Sequence, residues 1–373
     1  MPGTAPLGAV NPGNLVDANG TLLFSAYDSG TGAELWKSDG TVAGTVLVRD
    51  LTPVGDWTQG SSPAGLSDVN GTLFFTASDG VTGAELWKSD ASAAGTVLVK
   101  DIRSGEIGSG PDALTSVDGT LFFTADDGTA GRELWKSDGN AAGTGLVKDI
   151  MPGAGTSRLA ALTAANGHLF FFANDGTTGV ELWRSDGTAG GTALVKDICQ
   201  GGCGQLLCES GCGRGDGCVC AGPRTRIADV SGMLFFTASG SPPSGPFGLW
   251  KTDGTDSGTV RISAEEPFFP DPSSLTVAGD TVFFTDVLDG SLWVTDGSAA
   301  GTVRLHPDEL YSVSSLTAVN GTLFFTANDA SSLWKSDGTA AGTVLVKPIW
   351  AESLTDVNGT KASARGGHFP RSR

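Results

Sequence analysis

The sequence predicts an all-β fold assembled from seven copies of one four-stranded unit, and three observations lead to this prediction. The text ELWKSDGTVAGTVLV at residues 34–48 returns in related form along the chain. Each copy carries one tryptophan, and successive tryptophans are 51, 48, 48, 67, 43 and 41 residues apart, a period typical of propellers and solenoids. No segment has the apolar period of a helix. The tryptophans are Trp36, Trp87, Trp135, Trp183, Trp250, Trp293 and Trp334.

Four strands can be assigned within each unit, and the second copy is the clearest example. GLSDV, TLFFTA, AELWKSD and TVLVKDI are rich in β-branched and aromatic residues and are separated by turn residues. The first turn contains Asn70 and Gly71, a pair that favours the type I′ hairpin because both central positions need positive φ. The link to the next unit is longer and rich in Gly and Pro, as expected of a crossing between sheets.

The apolar pattern predicts how these sheets pack. The runs LFF and VLV are continuous, whereas a half-exposed strand would alternate polar and apolar residues, so both faces of each sheet must be covered. Antiparallel four-stranded sheets stacked around an axis satisfy this requirement. The sequence therefore predicts a seven-bladed β-propeller, and a linear stack of sheets is the alternative.

The predicted domain is a single propeller over residues 1–360. Its blades are placed at roughly 14–51, 64–102, 112–150, 159–198, 226–263, 273–306 and 314–349, with a cysteine-rich insertion at 199–225. Residues 361–373 form a basic tail, expected to be disordered. SLTDVNGT at 353–360 opens an eighth unit, which is expected either to pack on the first blade as a latch or to hang loose.

The repeated text resembles the ELWxxDGT repeat of bacterial proteins thought to be exported or bound to the cell surface. The resemblance covers nearly the whole chain and implies a propeller-like scaffold with no established reaction. Two departures exist. The second copy has Asp90-Ala91 where the repeat has Asp-Gly, and units five to seven read GLW, SLW and SLW in place of ELW.

Composition and charge exclude several partners. The formal net charge is −18, which argues against nucleic acid and anionic membranes, since both require clustered Lys and Arg. No run of eighteen apolar residues is present, so no membrane insertion is expected. Cations and basic partners are favoured instead.

All six cysteines fall within one glycine-rich loop between the fourth and fifth units. An even number of clustered cysteines is typical of disulfides formed in an oxidising compartment, and we expect an extracellular or cell-surface location, although the first residues do not resemble a secretory signal. A metal cluster is the alternative, but its paired C-x2-C spacing is missing. The cysteines are Cys199, Cys203, Cys208, Cys212, Cys218 and Cys220.

Two sets of aspartates are candidate cation ligands, because carboxylates and turn carbonyls suit hard cations. Each aspartate of the first set is followed five and six residues later by a Gly-Thr pair. This set is expected to be structural: the carboxylate accepts hydrogen bonds from its own turn, and the Gly of that pair supplies positive φ before the next strand. The second set lies between strands two and three, where weak cation or glycan binding is the functional alternative to a solvated turn. The first set is Asp39, Asp90, Asp138, Asp186, Asp253, Asp296 and Asp337; the second is Asp28, Asp79, Asp127 and Asp175.

A cross-strand ion pair is predicted in the first four units, where a glutamate precedes Leu-Trp and a base ends the fourth strand. Units five and six lack both, and a register error of one residue would place the partners on opposite faces. The glutamates are Glu34, Glu85, Glu133 and Glu181, and the bases are Arg49, Lys100, Lys148 and Lys196.

The repeated tryptophans are expected to fill the space between sheets rather than to stack on sugars. Trp57 and Trp350 lie in links outside the repeat and are better candidates for ligand contacts. His306 is a third candidate, because Asp308, Glu309 and Tyr311 follow it and could take part in acid–base chemistry.

The predicted function is a non-catalytic interaction or adhesion scaffold, extracellular or on the cell surface, that binds a protein or glycan through its loops as a monomer. A calcium-assisted glycan-binding lectin is the alternative, followed by a hydrolase or lyase with its site among the loops. No cofactor is expected apart from weakly bound calcium. Reactive groups are too few to favour an enzyme.

Overall fold

The computed structural model describes residues 10–52, 60–198, 227–239, 247–262, 272–305, 310–329, 331–348, 354–356 and 362–364. These residues form thirty strands, β1 to β30, and no helix. Seven sheets contain four antiparallel strands each, and an eighth sheet contains two. The prediction of an all-β, seven-bladed β-propeller with four-stranded antiparallel blades is confirmed. No helix in the described part of the chain is long and apolar enough to cross a membrane.

The first four blades follow one another along the chain. Blade one holds β1 (Val10–Ala18), β2 (Thr21–Asp28), β3 (Gly32–Ser38) and β4 (Val46–Arg49). Blade two holds β5 (Ala64–Val69), β6 (Thr72–Ser78), β7 (Ala84–Ser89) and β8 (Val97–Lys100). Blade three holds β9 (Asp112–Val117), β10 (Thr120–Asp126), β11 (Arg132–Ser137) and β12 (Gly145–Lys148). Blade four holds β13 (Ala160–Ala165), β14 (His168–Asn174), β15 (Val180–Ser185) and β16 (Ala193–Lys196).

The last three blades repeat the same order of strands. Blade five holds β17 (Ala228–Val230), β18 (Met233–Ser239), β19 (Phe247–Thr252) and β20 (Val260–Ile262). Blade six holds β21 (Pro272–Ala278), β22 (Thr281–Asp286), β23 (Leu292–Thr295) and β24 (Val303–Leu305). Blade seven holds β25 (Ser314–Val319), β26 (Thr322–Ala327), β27 (Ser332–Ser336) and β28 (Val344–Lys347). The two-stranded sheet pairs β29 (Leu354–Asp356) with β30 (Ala362–Ala364).

The chain forms two compact units, residues 1–177 with 183–193 and residues 178–182 with 194–373. Within the first unit, β5 lies between β1 and β9, and β9 lies beside β13. Within the second, β21 lies between β17 and β25, and β29 lies on the far side of β25. First strands therefore neighbour one another from blade to blade, as in a propeller. Of residues 353–360 the structure describes β29, which lies beside β25 of blade seven and pairs with β30.

Apolar side chains fill the seams between consecutive blades. Leu35 and Val48 of blade one pack with Leu73, Phe75 and Trp87 of blade two. The same positions pack between blades two and three, between five and six, and between six and seven. Burial of each such side chain contributes about 1.5–3 kcal/mol. The unbroken LFF runs thus reflect two covered faces, as the sequence indicated. The prediction is wrong for the VLV runs, because Val46 is 39% exposed and Leu47 is partly exposed, whereas Val48 is buried.

Candidate functional site

Two kinds of connection meet at one edge of the blades, which we call the loop face. It carries the loop between the second and third strands of each blade and the link to the next blade. Ser62 N donates to Ala33 O of blade one at 2.9 Å, and Ser78 N of blade two donates to Ser61 O at 3.0 Å. The link thereby joins the two blades. The opposite edge, the turn face, carries the tight turns that follow the first and third strands.

A buried glutamate holds each of the first three links. Glu34 is fully buried, and its carboxylate accepts hydrogen bonds from Ser61 N at 2.9 Å and from the Ser61 hydroxyl. Leu51 N at 3.4 Å and Thr52 Oγ1 at 3.2 Å also donate to it. Glu34 therefore ties the end of blade one to the segment that enters blade two.

The same arrangement, which we call the glutamate clasp, recurs in the next two blades. Ser109 N and Ser109 Oγ donate to Glu85 at 2.8 and 2.5 Å, and Arg103 N donates to it at 3.0 Å. Glu133 accepts from Ser157 N and Ile150 N, both at 3.0 Å. Both carboxyls are fully buried.

Burial makes these carboxyl groups weak acids. Desolvation raises the pKa of Glu34 and of Glu85, while the hydrogen bonds from the link oppose the rise. The pKa of Glu133 rises to about 7, mainly through burial, and the nearby charge of Asp149 adds to the rise. Perturbed acids often mark functional sites, but these three lie inside the blades and hold backbone, so their geometry is structural.

The predicted ion pair between these glutamates and the fourth-strand bases does not form. Register explains the difference, because Arg49 stands opposite Leu35 across a β-bulge and thus on the other face of the sheet from Glu34. The bases instead reach the next blade. Arg49 NH1 donates to Thr96 O at 2.6 Å, and Lys100 Nζ donates to Thr144 O at 2.7 Å.

The repeated aspartates before each Gly-Thr pair bind their own turns. Asp39 Oδ1 accepts from Thr41 N at 2.9 Å and Thr41 Oγ1 at 2.7 Å, and these bonds lower the pKa of Asp39. The positive φ, 89°, is that of Gly40, which directly follows Asp39, and not that of Gly44 in the Gly44-Thr45 pair. Gly44 is needed for a different reason, because a Cβ there would lie 2.0 Å from Asp39 Oδ1.

The other copies of this turn use the same contacts. In each, the aspartate Oδ1 accepts the backbone N–H two residues later. In the described part of the chain, His, Cys, Asp and Glu form no group of three or more that could hold a metal ion. The aspartates concerned are Asp90, Asp138, Asp186, Asp253, Asp296 and Asp337.

The second set of aspartates also caps its own loops. Asp79 Oδ1 accepts from Val81 N and Thr82 N, and Asp127 Oδ1 accepts from Thr129 N and Ala130 N. Asp28 Oδ1 accepts from Gly30 N at 2.7 Å, and Asp175 Oδ1 accepts from Thr177 N at 2.8 Å. One oxygen of each carboxylate is thus occupied within its own loop.

Four of the repeated tryptophans pack in the seams described above, namely Trp87, Trp135, Trp293 and Trp334. Of the seven, five are buried, and Trp36 and Trp293 are partly buried. Sequence reasoning missed one role here: Trp334 Nε1 donates to Ser332 Oγ and Trp293 Nε1 to Ser291 Oγ, both at 3.0 Å. Serine replaces the clasp glutamate in these two blades, and this change in the sequence could have indicated that the residue binds the tryptophan instead.

Several predicted residues lie outside the described part of the chain. These are the six cysteines of the insertion, together with Trp57, Trp350, His306, Asp308 and Glu309. Tyr311 is described and is exposed on the link before blade seven.

The loop face of blades two and three carries an apolar feature that the sequence reasoning did not single out. Val81 and Ile107 are 71% and 74% exposed, and we call them the apolar loop patch. Their loops touch, because a Cβ added at Gly83 would lie 2.4 Å from Gly108 N. Val81 is the one aliphatic residue in a loop otherwise made of Gly, Asp, Ser and Thr, and Ile107 lies in a link rich in Gly and Ser. These two residues were the signal that could have revealed the patch.

Two acidic residues flank this patch in sequence. Asp79 lies two residues before Val81, and the exposed Glu106 directly precedes Ile107. Arg103 in the same link is already paired, because its NH1 lies 2.8 Å from Asp126 Oδ2. The patch therefore combines exposed aliphatic surface with an acidic rim.

No protein-family model matches this chain, and no curated protein matches it. A prolyl endopeptidase gives a TM-score of 0.46 at 11% identity, and the match covers 91% of this chain and 50% of that chain. A puromycin hydrolase gives a TM-score of 0.44 at 17% identity, and the match covers 85% of this chain and 50% of that chain. The β-propeller domain of the Trilobed protease from Pyrococcus furiosus gives a TM-score of 0.43 at 8% identity, and the match covers 92% of this chain and 99% of that domain.

These structures are similar to this chain in fold alone. This chain spans about half the length of the prolyl endopeptidase and of the puromycin hydrolase. The predicted function, a non-catalytic adhesion scaffold, is wrong against these structures, which are a prolyl endopeptidase, a puromycin hydrolase and the propeller domain of a protease. The sequence reasoning weighed the reactive groups of this chain alone, whereas the fold makes up only half of those two enzymes.

Proposed function

We propose that this chain is the propeller part of a peptidase and that it binds polypeptide through the apolar loop patch. Val81 and Ile107 present aliphatic surface on the loop face, and that exposure is the observation that carries the proposal. Burying a large aliphatic side chain contributes about 1.5–3 kcal/mol. Two such residues therefore contribute about 3–6 kcal/mol, and further contacts along the peptide offset the cost of association.

The surroundings of the patch favour a basic and apolar polypeptide as its ligand. Asp79 and Glu106 flank the two aliphatic residues, and the chain carries a formal net charge of −18. Complementary charge raises the association rate and selects against acidic partners. A segment that alternates Leu or Val with Lys or Arg matches both properties.

We further propose that hydrolysis is carried out by a separate catalytic domain. His168 is the one histidine in the described part of the chain, and its Nδ1 lies 2.8 Å from Asn166 O of its own hairpin. The clasp glutamates are fully buried and occupied by backbone and serine donors. These groups are engaged within the blades, and this supports placing the chemistry in another domain.

Peptide binding tests the proposal. A fluorescent twelve-residue peptide of alternating Leu and Lys is titrated with the protein, and binding is followed by fluorescence anisotropy. A peptide of alternating Leu and Glu is titrated for comparison. We expect saturable binding of the basic peptide, weakened at least tenfold by Val81→Asp with Ile107→Asp. Val42→Asp is the matched control, because Val42 is 62% exposed on the turn face.

Two outcomes would overturn the proposal. Equal binding by the double variant and by wild type would remove the patch from the interaction. Cleavage of the peptide by this chain alone would place a catalytic site within it.

A further inference from the structure

The link between blades six and seven departs from the glutamate clasp at both ends. Ser291 stands where the first four blades carry the clasp glutamate, and its hydroxyl accepts from Trp293 Nε1 at 3.0 Å. Tyr311 stands where the clasped links carry their serine. Asn328 N donates to the Tyr311 carbonyl at 2.8 Å, as the equivalent N–H of blade three does to Ser109 O at 3.0 Å. Both partners of the clasp are therefore replaced in this link.

The replacement changes a buried anchor into an exposed surface. The clasped serines Ser61, Ser109 and Ser157 are at most 1% exposed, because the glutamate holds them inside the blades. Tyr311 is 53% exposed. A large aromatic ring thus takes the place of a small buried hydroxyl and remains in contact with solvent.

Two aliphatic side chains of blade six extend this surface. Val287 and Leu288, in the loop between β22 and β23, are 38% and 65% exposed. That loop touches the link that carries Tyr311, because Val313 N donates to Gly290 O at 2.8 Å. We call Val287, Leu288 and Tyr311 the aromatic loop patch.

The segments that carry the aromatic loop patch are acidic. The described residues 280–305 and 310–329 contain five aspartates and one base, Arg304. This base is already paired, because Arg304 NH2 lies 3.0 Å from Asp289 Oδ2. The exposed Asp329 directly follows Asn328, which binds the backbone of Tyr311. Negative charge therefore outweighs positive charge in these segments.

These properties favour one kind of ligand. A cation that lies over a tyrosine ring is attracted to it, and arginine makes this contact more often than lysine. Aromatic side chains bury a large apolar area against exposed aliphatic groups. A second copy of this chain is disfavoured, because a formal net charge of −18 makes two copies repel each other. The ligand that fits is a polypeptide that carries arginine beside an aromatic residue.

We propose that the aromatic loop patch is a second polypeptide-binding site, specific for arginine next to an aromatic residue. The arginine of the ligand stacks on Tyr311, and its aromatic side chain packs on Leu288. The inference rests on the proposed function in so far as the ligand is a polypeptide, but it uses none of the residues of the apolar loop patch. A Leu and Lys peptide lacks both the guanidinium and the aromatic ring, so it binds here only weakly.

Removal of the apolar loop patch isolates this second site. A fluorescent twelve-residue peptide of alternating Phe and Arg is titrated with the Val81→Asp, Ile107→Asp protein, and binding is followed by fluorescence anisotropy. We expect saturable binding. Adding Leu288→Asp and Tyr311→Ala to that protein should weaken binding by about tenfold or more, because the aliphatic and the aromatic contact are both lost. The Leu and Lys peptide should bind the Val81→Asp, Ile107→Asp protein about tenfold more weakly than the Phe and Arg peptide does.

Two further substitutions in the Val81→Asp, Ile107→Asp protein serve as controls. Tyr311→Phe keeps the aromatic ring and should leave binding unchanged, since the ring rather than the hydroxyl holds the arginine. Val303→Asp should also leave binding unchanged, because Val303 is 44% exposed at the turn-face end of β24. Thermal melts check that each variant is folded.

Three results would overturn the inference. The first is absence of binding between the Phe and Arg peptide and the Val81→Asp, Ile107→Asp protein. The second is binding that Leu288→Asp with Tyr311→Ala leaves unchanged. The third is self-association of the wild-type chain, measured by light scattering and abolished by Leu288→Asp, because a second copy would then cover the patch. The proposed function fails on a different result, equal binding of the Leu and Lys peptide by wild type and by the Val81→Asp, Ile107→Asp protein.

Discussion

Removal of one glutamate clasp is predicted to destabilise the link between blades two and three. Glu85→Ala leaves Ser109 N and Ser109 Oγ without their acceptor, and Ser109 is buried. Each unpaired buried donor costs about 1–3 kcal/mol. Arg103 N is partly exposed and can bind water instead. Relief of the desolvated carboxyl offsets part of the loss, so the expected net decrease is about 2–4 kcal/mol.

Urea unfolding and hydrogen exchange measure this effect together. The free energy of unfolding should fall by that amount, and the backbone amides of residues 103–110 should lose protection. Glu85→Gln keeps one acceptor oxygen and should cost about half as much. Glu106→Ala, an exposed glutamate of the same link, is the control and should change neither. A Glu85→Ala protein within about 0.5 kcal/mol of wild type would refute the structural role of the clasp.

Two further predictions concern pH and a turn. Because burial raises the pKa of Glu133 from 4.5 to about 7, the folded state binds the extra proton, so stability should fall by up to about 3 kcal/mol as pH rises from 4.5 through 7. Glu133→Gln should flatten the pH dependence of the free energy of unfolding measured by urea titration. An unchanged pH dependence in this variant would contradict the raised pKa of Glu133. Gly191→Ala should lower the melting temperature, since its Cβ would lie 2.1 Å from the Asp186 carboxylate, whereas Gly190→Ala in the same turn meets nothing within 4 Å. Equal melting temperatures for the two variants would show that the turn relaxes.

The blades could be predicted because their signals are local. Asn70 and Gly71 have φ of 51° and 82°, as a type I′ hairpin requires. The continuous LFF runs correctly indicated two covered faces, whereas the VLV runs did not, because the fourth strand lies at the edge of its sheet. In each case the residues that decide the structure lie within a few positions of one another.

The glutamate clasp could not be predicted so readily, because its partners are distant in sequence. Glu34 binds Ser61, 27 residues later, while Glu85 and Glu133 bind serines 24 residues later. The links between blades differ in length and composition, so this spacing is not constant. The β-bulge opposite Leu35 was equally hidden, and it moved the base away from Glu34.

The central claim is that the copied residues build the blades, whereas residues that depart from the copies bind polypeptide. One measurement tests it most directly: the affinity of the Leu and Lys peptide for Asp90→Asn and for Val81→Asp with Ile107→Asp, measured side by side. Asp90 caps a copied turn of blade two by accepting from Ser92 N at 2.9 Å. Its variant should melt at a lower temperature and bind as wild type does, and the double variant should melt as wild type does and bind at least tenfold more weakly. Loss of binding in a folded Asp90→Asn protein would contradict the claim.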